Sequence, residues 1–244
     1  MVPVCREFVE GLSFTGVTVQ KEERSLAISL WQSLAVSGGT TRARQTYDGG
    51  IMNWIAALLL GYALGSIPFG MILTRVFQAG DLRSIGSGSI GATNVLRTGR
   101  KGLAAATLLL DMGKGLLAVL LAWHFLPAAV SLAAAGAILG HCFPVWLRFK
   151  GGKGVATLMG VVLGLAWPIG LAYAVTWLGI LAITRVSSLA GMTAAVVAPI
   201  AALVTGHGEF APVLVLLAIL VLWLHRANLA RLRAGTEPRV GGAK

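Results

Sequence analysis

Four polar clusters interrupt a strongly apolar chain, and each is built from groups that recognise anions. The first is Gly86-Ser87-Gly88-Ser89-Ile90-Gly91-Ala92-Thr93-Asn94, with Arg97 following. Its three glycines let backbone N–H groups close around a ligand. Ser87, Ser89 and Thr93 add hydroxyl donors, and Arg97 adds a planar fork suited to two phosphate oxygens. Together they read as an anion nest, or alternatively as a flexible loop with a Ser/Thr helix cap. The second cluster is Phe149-Lys150-Gly151-Gly152-Lys153-Gly154-Val155-Ala156-Thr157. It is not a Walker A loop, because Gly154 rather than Ser or Thr follows Lys153 and no strand precedes it. The physics is related: a glycine turn feeding a helix N-terminus presents free N–H groups and a positive dipole end. The alternative is a basic anchor at the membrane surface.

The third cluster is Asp111 with Lys114, three residues apart and so on one helix face. Charges inside an apolar run are costly and face a bundle interior or a wet cavity. The pair reads equally as a structural ion pair or as a lysine reaching a ligand phosphate. The fourth is His225, Asn228 and Arg231 at three-residue spacing, with Gly235 and Glu237 beyond. An imidazole there can bind phosphate, orient a hydroxyl or accept a proton; alternatively the group complements the negative end of a helix. His141, within Gly-His-Cys-Phe-Pro, reads as a packed polar group. Ser188 reads as a helix cap before Leu189.

The elements that carry these clusters must be membrane helices. Of 244 residues, 56% are hydrophobic and only 12% charged, and the mean hydropathy is +0.80. That composition excludes a disordered chain, a disulfide scaffold and an ordinary soluble enzyme. The net charge is +11, from 20 Lys+Arg against 9 Asp+Glu. A nucleic-acid partner is nevertheless excluded, since the chain lacks the charged surface that such a groove requires. Cys5 and Cys142 form no metal-ligand set. Apolar runs recur at Trp54–Phe77, Leu103–Phe125, Ala128–Leu147, Val155–Trp167, Pro168–Thr184, Leu189–Thr205 and Phe210–Leu224. A bilayer core takes about 20 helical residues. The middle pair, split at Trp167-Pro168, is long for one span and short for two.

Basic residues set the expected sidedness. They gather between the first and second runs, after the third, before Leu189 and after the last. Cytoplasmic loops carry such an excess. The chain is therefore read as all-α and polytopic, with about seven transmembrane helices, the N-terminus outside and the C-terminus cytoplasmic. Five full spans with a re-entrant pair at Val155–Thr184 would preserve the same sidedness. Residues 1–51 balance five basic against five acidic residues and lack a long apolar run. They read either as a disordered or loosely amphipathic extension or as a stretch ahead of a natural start at Met52. A membrane domain then covers 52–237 and a cytoplasmic tail 238–244.

There is no Gly-x-Ser-x-Gly nucleophile, no His-x4-Asp pair, no metal cluster and no dinucleotide fingerprint. Several phosphate-type sites without an acidic metal cage suggest a donor that is already activated. Gly86–Arg97, Asp111–Gly115, His141–Thr157 and His225–Glu237, with Gly65-Ser66-Ile67-Pro68 ahead of them, resemble the bacterial acyl-phosphate:glycerol-3-phosphate acyltransferase family. The match runs from about Met52 to Glu237 in the family's order. It implies a multi-pass inner-membrane enzyme of phospholipid synthesis, with its active site on the cytoplasmic side. The reaction implied is acyl transfer from acyl phosphate to the sn-1 hydroxyl of glycerol 3-phosphate, without a metal or cofactor. The lipid bilayer is a partner, and the acyl-phosphate-producing enzyme is a candidate one.

By that resemblance His225, Asn228, Ser87 and Arg97 are expected to be catalytic. Gly88, Ser89, Gly91, Thr93, Asn94, Lys114, Lys150, Gly151, Gly152, Lys153, Gly154 and Ser188 are expected to bind substrate. Asp111, His141 and Glu237 are expected to be structural. Ser89 departs from the family, which usually has Asn there; a hydroxyl still donates but reaches less far. A transporter of phosphate esters is the competing class. It would show paired repeats and charges near the midplane, whereas the polar clusters here gather on one face.

Overall fold

The computed structural model describes residues 50–241, and all regular secondary structure among them is helical. The extension read at 1–51, apart from its last two residues, lies outside the described residues. The first apolar run is divided into α1 (Ile51–Gly65) and α2 (Phe69–Val76). Pro68 makes the break, because proline disfavours helical geometry in the residue before it and brings no N–H. A short α3 (Ala92–Leu96) lies in the first polar cluster, and α4 (Lys101–Phe125) forms the second run. A 3₁₀ turn at Pro127–Ala129 leads into α5 (Val130–Cys142), and another at Val145–Leu147 closes the third run.

The ambiguous middle stretch gives α6 (Val155–Leu165) and α7 (Trp167–Thr184), separated by Ala166 in extended conformation. Pro168 falls in the first turn of α7, where its missing N–H has no intrahelical role. Then come α8 (Ser187–Val204), a 3₁₀ turn at Gly208–Phe210, α9 (Ala211–Leu224) and α10 (Arg226–Arg233). Ile51–Val76, Lys101–Phe125, Pro127–Leu147, Trp167–Thr184 and Ser187–Val204 are long and apolar enough to cross a membrane. Gly208–Leu224 and Arg226–Arg233 join them as a pair bent by 59°. All seven expected runs are thus helical. α6, however, has 11 residues, or roughly 16 Å at 1.5 Å per residue, against a hydrocarbon core of about 30 Å.

Residues are sorted by size rather than polarity. The buried core is rich in alanine, including Ala57, Ala118, Ala133, Ala137, Ala194 and Ala198, while Leu59, Leu120, Val175, Leu178 and Leu216 face outward. Lipid tails are as apolar as leucine, so helices associate through small residues that let backbones approach. Two helix pairs show this. Gly61 and Gly65 of α1 meet Ala133 and Ala137 of α5, and a Cβ on Gly65 would stand 2.0 Å from the Ala137 carbonyl oxygen. Gly136 and Gly140 of α5 return the contact against Leu58 and Tyr62. Likewise Gly160 of α6 lies against Met112 of α4, and Gly164 against Val119. Residue numbers rise together across both contacts, so each pair runs parallel.

Gly65→Val is expected to lower thermal stability in detergent by about 1–3 kcal/mol through overpacking. Gly179→Ala, on α7 with nothing within 4 Å of the new methyl, should be neutral or slightly stabilising. Equal melting temperatures for the two variants would show that the α1–α5 seam is not tight.

Candidate active site

The first cluster folds around two glycines with positive φ, Gly86 at 53° and Gly88 at 65°. A Cβ on Gly86 would lie 2.2 Å from Arg97 Nη1, so the guanidinium rests across bare backbone. Asn94 fixes this loop rather than projecting from it. Its Nδ2 donates to the carbonyls of Leu82 at 2.9 Å and Ser89 at 2.8 Å. Its Oδ1 is buried without a partner among the described residues. Ser89 Oγ is 3.4 Å from the Gly91 N–H. Ser87, Thr93 and Arg97 keep exposed side chains.

The glycine–lysine loop folds back on the end of α5. Gly151 N–H donates to the Cys142 carbonyl at 2.9 Å, and Gly152 N–H to the His141 carbonyl at 3.0 Å. A Cβ on Gly152 would stand 2.1 Å from His141 Nε2, so only glycine fits over that ring. This fold-back turns the two lysines in different directions. Lys153 points inward and donates to Asn228 Oδ1. Burial holds its ammonium below the ordinary lysine range; neighbouring Arg231 and Arg97 act in the same direction against Glu237. Lys150 is exposed and its residue is not among those lining the site; its backbone N–H donates to the Leu147 carbonyl at 3.1 Å and its carbonyl accepts from Arg83.

Lys114 does not line the site either. Its Nζ lies 2.7 Å from Asp111 Oδ1 and donates to the Ile67 carbonyl at 2.8 Å, in the α1–α2 break. The lysine is buried in the bundle, and its partner Asp111 is the member of the pair that lines the cleft. His141 lies beneath the same region, its Nδ1 3.7 Å from Asp111 Oδ1.

The fourth cluster sits at the bend between α9 and α10. His225 Nδ1 is 2.8 Å from the Val221 carbonyl oxygen. A carbonyl can only accept, so Nδ1 carries the proton and a neutral ring offers Nε2 as an acceptor. Asn228 Nδ2 donates to Glu237 Oε1 at 2.6 Å, and Arg231 Nε to Glu237 Oε2 at 2.7 Å. Ser188 Oγ donates to Glu237 Oε1 at 2.6 Å. Ser188 is therefore not a cap: α8 starts one residue earlier, and its hydroxyl is drawn to the carboxylate. The tail closes over this group, with Val240 N–H donating to the Arg185 carbonyl at 2.7 Å.

These parts line one open cleft. Ser87, Arg97, Lys153, His225, Arg231 and Glu237 furnish polar walls; Leu108, Val155, Ala156 and Trp177 furnish an apolar one. Gly154 and Ser188 also line it, whereas Gly88, Gly151 and Gly152 shape loops behind it. Arg231, named in the fourth cluster but given no role there, lines the cleft, and so do Ser187 and Trp177, which the expected site did not include. Arg231's spacing with His225 and Asn228 was a signal for it. Trp177 gave none, since an aromatic inside an apolar run reads as packing. Its indole N–H is buried without an acceptor among the described residues.

A family model described as glycerol-3-phosphate acyltransferase matches residues 55–235. The glycerol-3-phosphate acyltransferase of Novosphingobium aromaticivorans is 73% identical over 187 residues, covering 77% of this chain and 95% of that protein. That of Erythrobacter litoralis is 62% identical over 185 residues, covering 76% and 94%. Among solved structures, the integral membrane glycerol 3-phosphate acyltransferase PlsY in its glycerol 3-phosphate form is similar at a TM-score of 0.73. The identity is 35%, with 77% of this chain and 96% of that one covered. Its lysophosphatidic acid form gives a TM-score of 0.71 and 34% identity, over 77% and 95%.

Burial alone would raise the Glu237 carboxyl, but the donors Ser188, Asn228 and Arg231 hold it below its ordinary value of 4.5. A lowered carboxyl contributes stability that is present above the unfolded value and lost as pH falls through the native one. The melting temperature of the wild type should therefore drop as pH is taken below about 4.5. Glu237→Gln should start lower at neutral pH and fall less steeply. A difference between the two proteins that stays constant with pH would refute this.

Proposed function

The chain belongs to the glycerol-3-phosphate acyltransferase family, and we propose that it transfers a fatty acyl group from acyl phosphate to the sn-1 hydroxyl of glycerol 3-phosphate. Lysophosphatidic acid and inorganic phosphate are the products. The observation that carries this reading is the convergence of Arg97 and Lys153, from two separate glycine loops, on one cleft with an apolar wall. Two phosphates and one acyl chain need that combination. Lys153 in the glycine–lysine loop is assigned to the phosphate of glycerol 3-phosphate, and Arg97 to phosphate oxygens across the cleft. Leu108, Val155, Ala156 and Trp177 offer the acyl chain its apolar surface.

In the reaction the hydroxyl oxygen attacks the acyl carbon and the bond from that carbon to the phosphate oxygen breaks. Phosphate leaves on a mixed anhydride, so cationic donors that stabilise it serve better than a protein nucleophile. His225 Nε2 is placed to accept a hydrogen bond from the attacking hydroxyl. The proton ends on the departing phosphate, either directly or by way of that imidazole. Asn228 supports this chemistry through Lys153, since its amide spans that ammonium and Glu237.

The multi-pass protein is assigned to the bacterial inner membrane, with the cleft cytoplasmic and the acyl-phosphate-producing enzyme as its supplier. The basic loops on that face support the orientation. Transport of phosphate esters is the weaker reading, because loops and helix ends form most of the cleft.

Purified protein given glycerol 3-phosphate should form lysophosphatidic acid with acyl phosphate and not with acyl-CoA or acyl carrier protein; turnover with the thioesters alone would overturn the donor assignment. Arg97→Ala and Lys153→Ala should each lose roughly 10- to 150-fold in kcat/KM, the equivalent of about 1.5–3 kcal/mol for one charged hydrogen bond. Arg97→Lys should recover little, since an ammonium lacks the fork, and Lys150→Ala should stay near wild type. In whole cells, a cysteine at Arg100 should react with an impermeant reagent only after permeabilisation, and one at Gly208 without it. The opposite pattern would reverse the topology.

A further inference from the structure

Arg83 stands outside all four polar clusters, in the turn that follows α2, yet its guanidinium reaches both glycine loops. Nη1 donates to the Gly88 carbonyl at 3.3 Å, inside the loop that ends in Arg97. Nη2 donates to the Lys150 carbonyl, at the start of the loop that carries Lys153. The residue is itself held in place. Its backbone N–H donates to Asp81 Oδ1 at 2.9 Å, and Nη2 lies 3.9 Å from Met71 Sδ on α2. Among the described residues no salt bridge engages the guanidinium.

Each loop has its own separate anchor. Asn94 ties the first to Leu82 and Ser89, while the His141 and Cys142 carbonyls tie the second to α5. Among the described residues, the bond from Arg83 to Lys150 is the one hydrogen bond that joins the stretch 81–98 to the stretch 148–154. A planar guanidinium can address two carbonyls on different loops at once; an ammonium cannot hold both in a fixed plane.

We propose that Arg83 is a positioning residue that sets the separation of the two phosphate-binding loops, so that acceptor hydroxyl and acyl carbonyl meet in register. The inference rests on the acyl-transfer reading given above. A reaction between two bound substrates is sensitive to such spacing, and a misplacement of about 1 Å costs on the order of 100-fold in rate. Binding of either substrate alone depends on one loop and is much less sensitive.

The test compares wild type, Arg83→Ala and Arg83→Lys in detergent, with kcat, glycerol 3-phosphate affinity by calorimetry, and melting temperature measured for each. Arg83→Ala should lose roughly 30- to 100-fold in kcat, with single-substrate affinity within about 3-fold of wild type. Arg83→Lys should recover only part of the rate, and millimolar guanidinium ion should partly rescue Arg83→Ala. Unchanged kcat in Arg83→Ala overturns the proposal. So does loss of glycerol 3-phosphate affinity and of melting temperature in both variants, which would mark Arg83 as a fold support. An inactive wild type would instead sink the acyl-transfer reading.

Discussion

Three cations, Arg97, Lys153 and Arg231, line a cleft in which Glu237 is the carboxylate that meets Arg231 directly, while Asp111, also in the lining, is paired with Lys114. Like charges held this close repel, and burial of Lys153 sharpens the repulsion because the local dielectric is low. Glu237 removes part of that burden and fixes geometry as well. Its two oxygens accept from Ser188 on α8 and from Asn228 and Arg231 on α10. Because the carboxylate can only accept, Asn228 must turn its NH2 toward it, which leaves the amide oxygen facing Lys153. One acidic side chain in the tail thereby settles the orientation of an amide, the seat of a lysine on another loop, and the docking of the tail itself. The cleft stays net positive, as a site for two phosphates should.

The membrane imposes the second constraint. Backbone groups left unpaired in hydrocarbon are expensive, so helix breaks must find partners. The break at Pro68 places the Ile67 carbonyl beside Lys114, whose own charge is met by Asp111. The glycine–lysine loop solves the same problem differently, by pairing its N–H groups with carbonyls at the end of α5. Both solutions lie directly under the cleft. The apolar helices serve as the frame, and the loops and helix ends between them line the cleft.

Much of this was legible in the sequence. Glycine-rich clusters with basic residues marked loops that line the cleft, and apolar runs marked the helices that hold them. The reason is local: turn-forming glycines and long apolar stretches act through nearest neighbours. What was not legible depended on partners distant in the chain. Ser188 has the look of a helix cap, and only the folded tail reveals that its hydroxyl meets Glu237, 49 residues away. Lys150 and Lys153 are equivalent by composition; the fold-back onto His141 and Cys142 separates them. Lys114 had two equal readings until the α1–α2 break supplied a carbonyl. Arg83 resembled any other basic loop residue, since nothing nearby in sequence hints that its partners are backbone carbonyls on two loops.

The glycine seams bear on how the chain is assembled. α1 packs parallel to α5, and α6 packs parallel to α4. Neither pair consists of consecutive helices, because successive full spans joined by a short turn run antiparallel. During synthesis α1 is therefore in the bilayer before its partner has been made, and α4 emerges between the two. The glycine face of α1 waits in lipid, unable to close on the helix that follows it. A nascent chain interrupted after α4 would hold two helices with unmatched small-residue faces, open to whatever other membrane segments pass by. Release of α5 and α6 from the ribosome is then the event that converts a set of inserted helices into one protein.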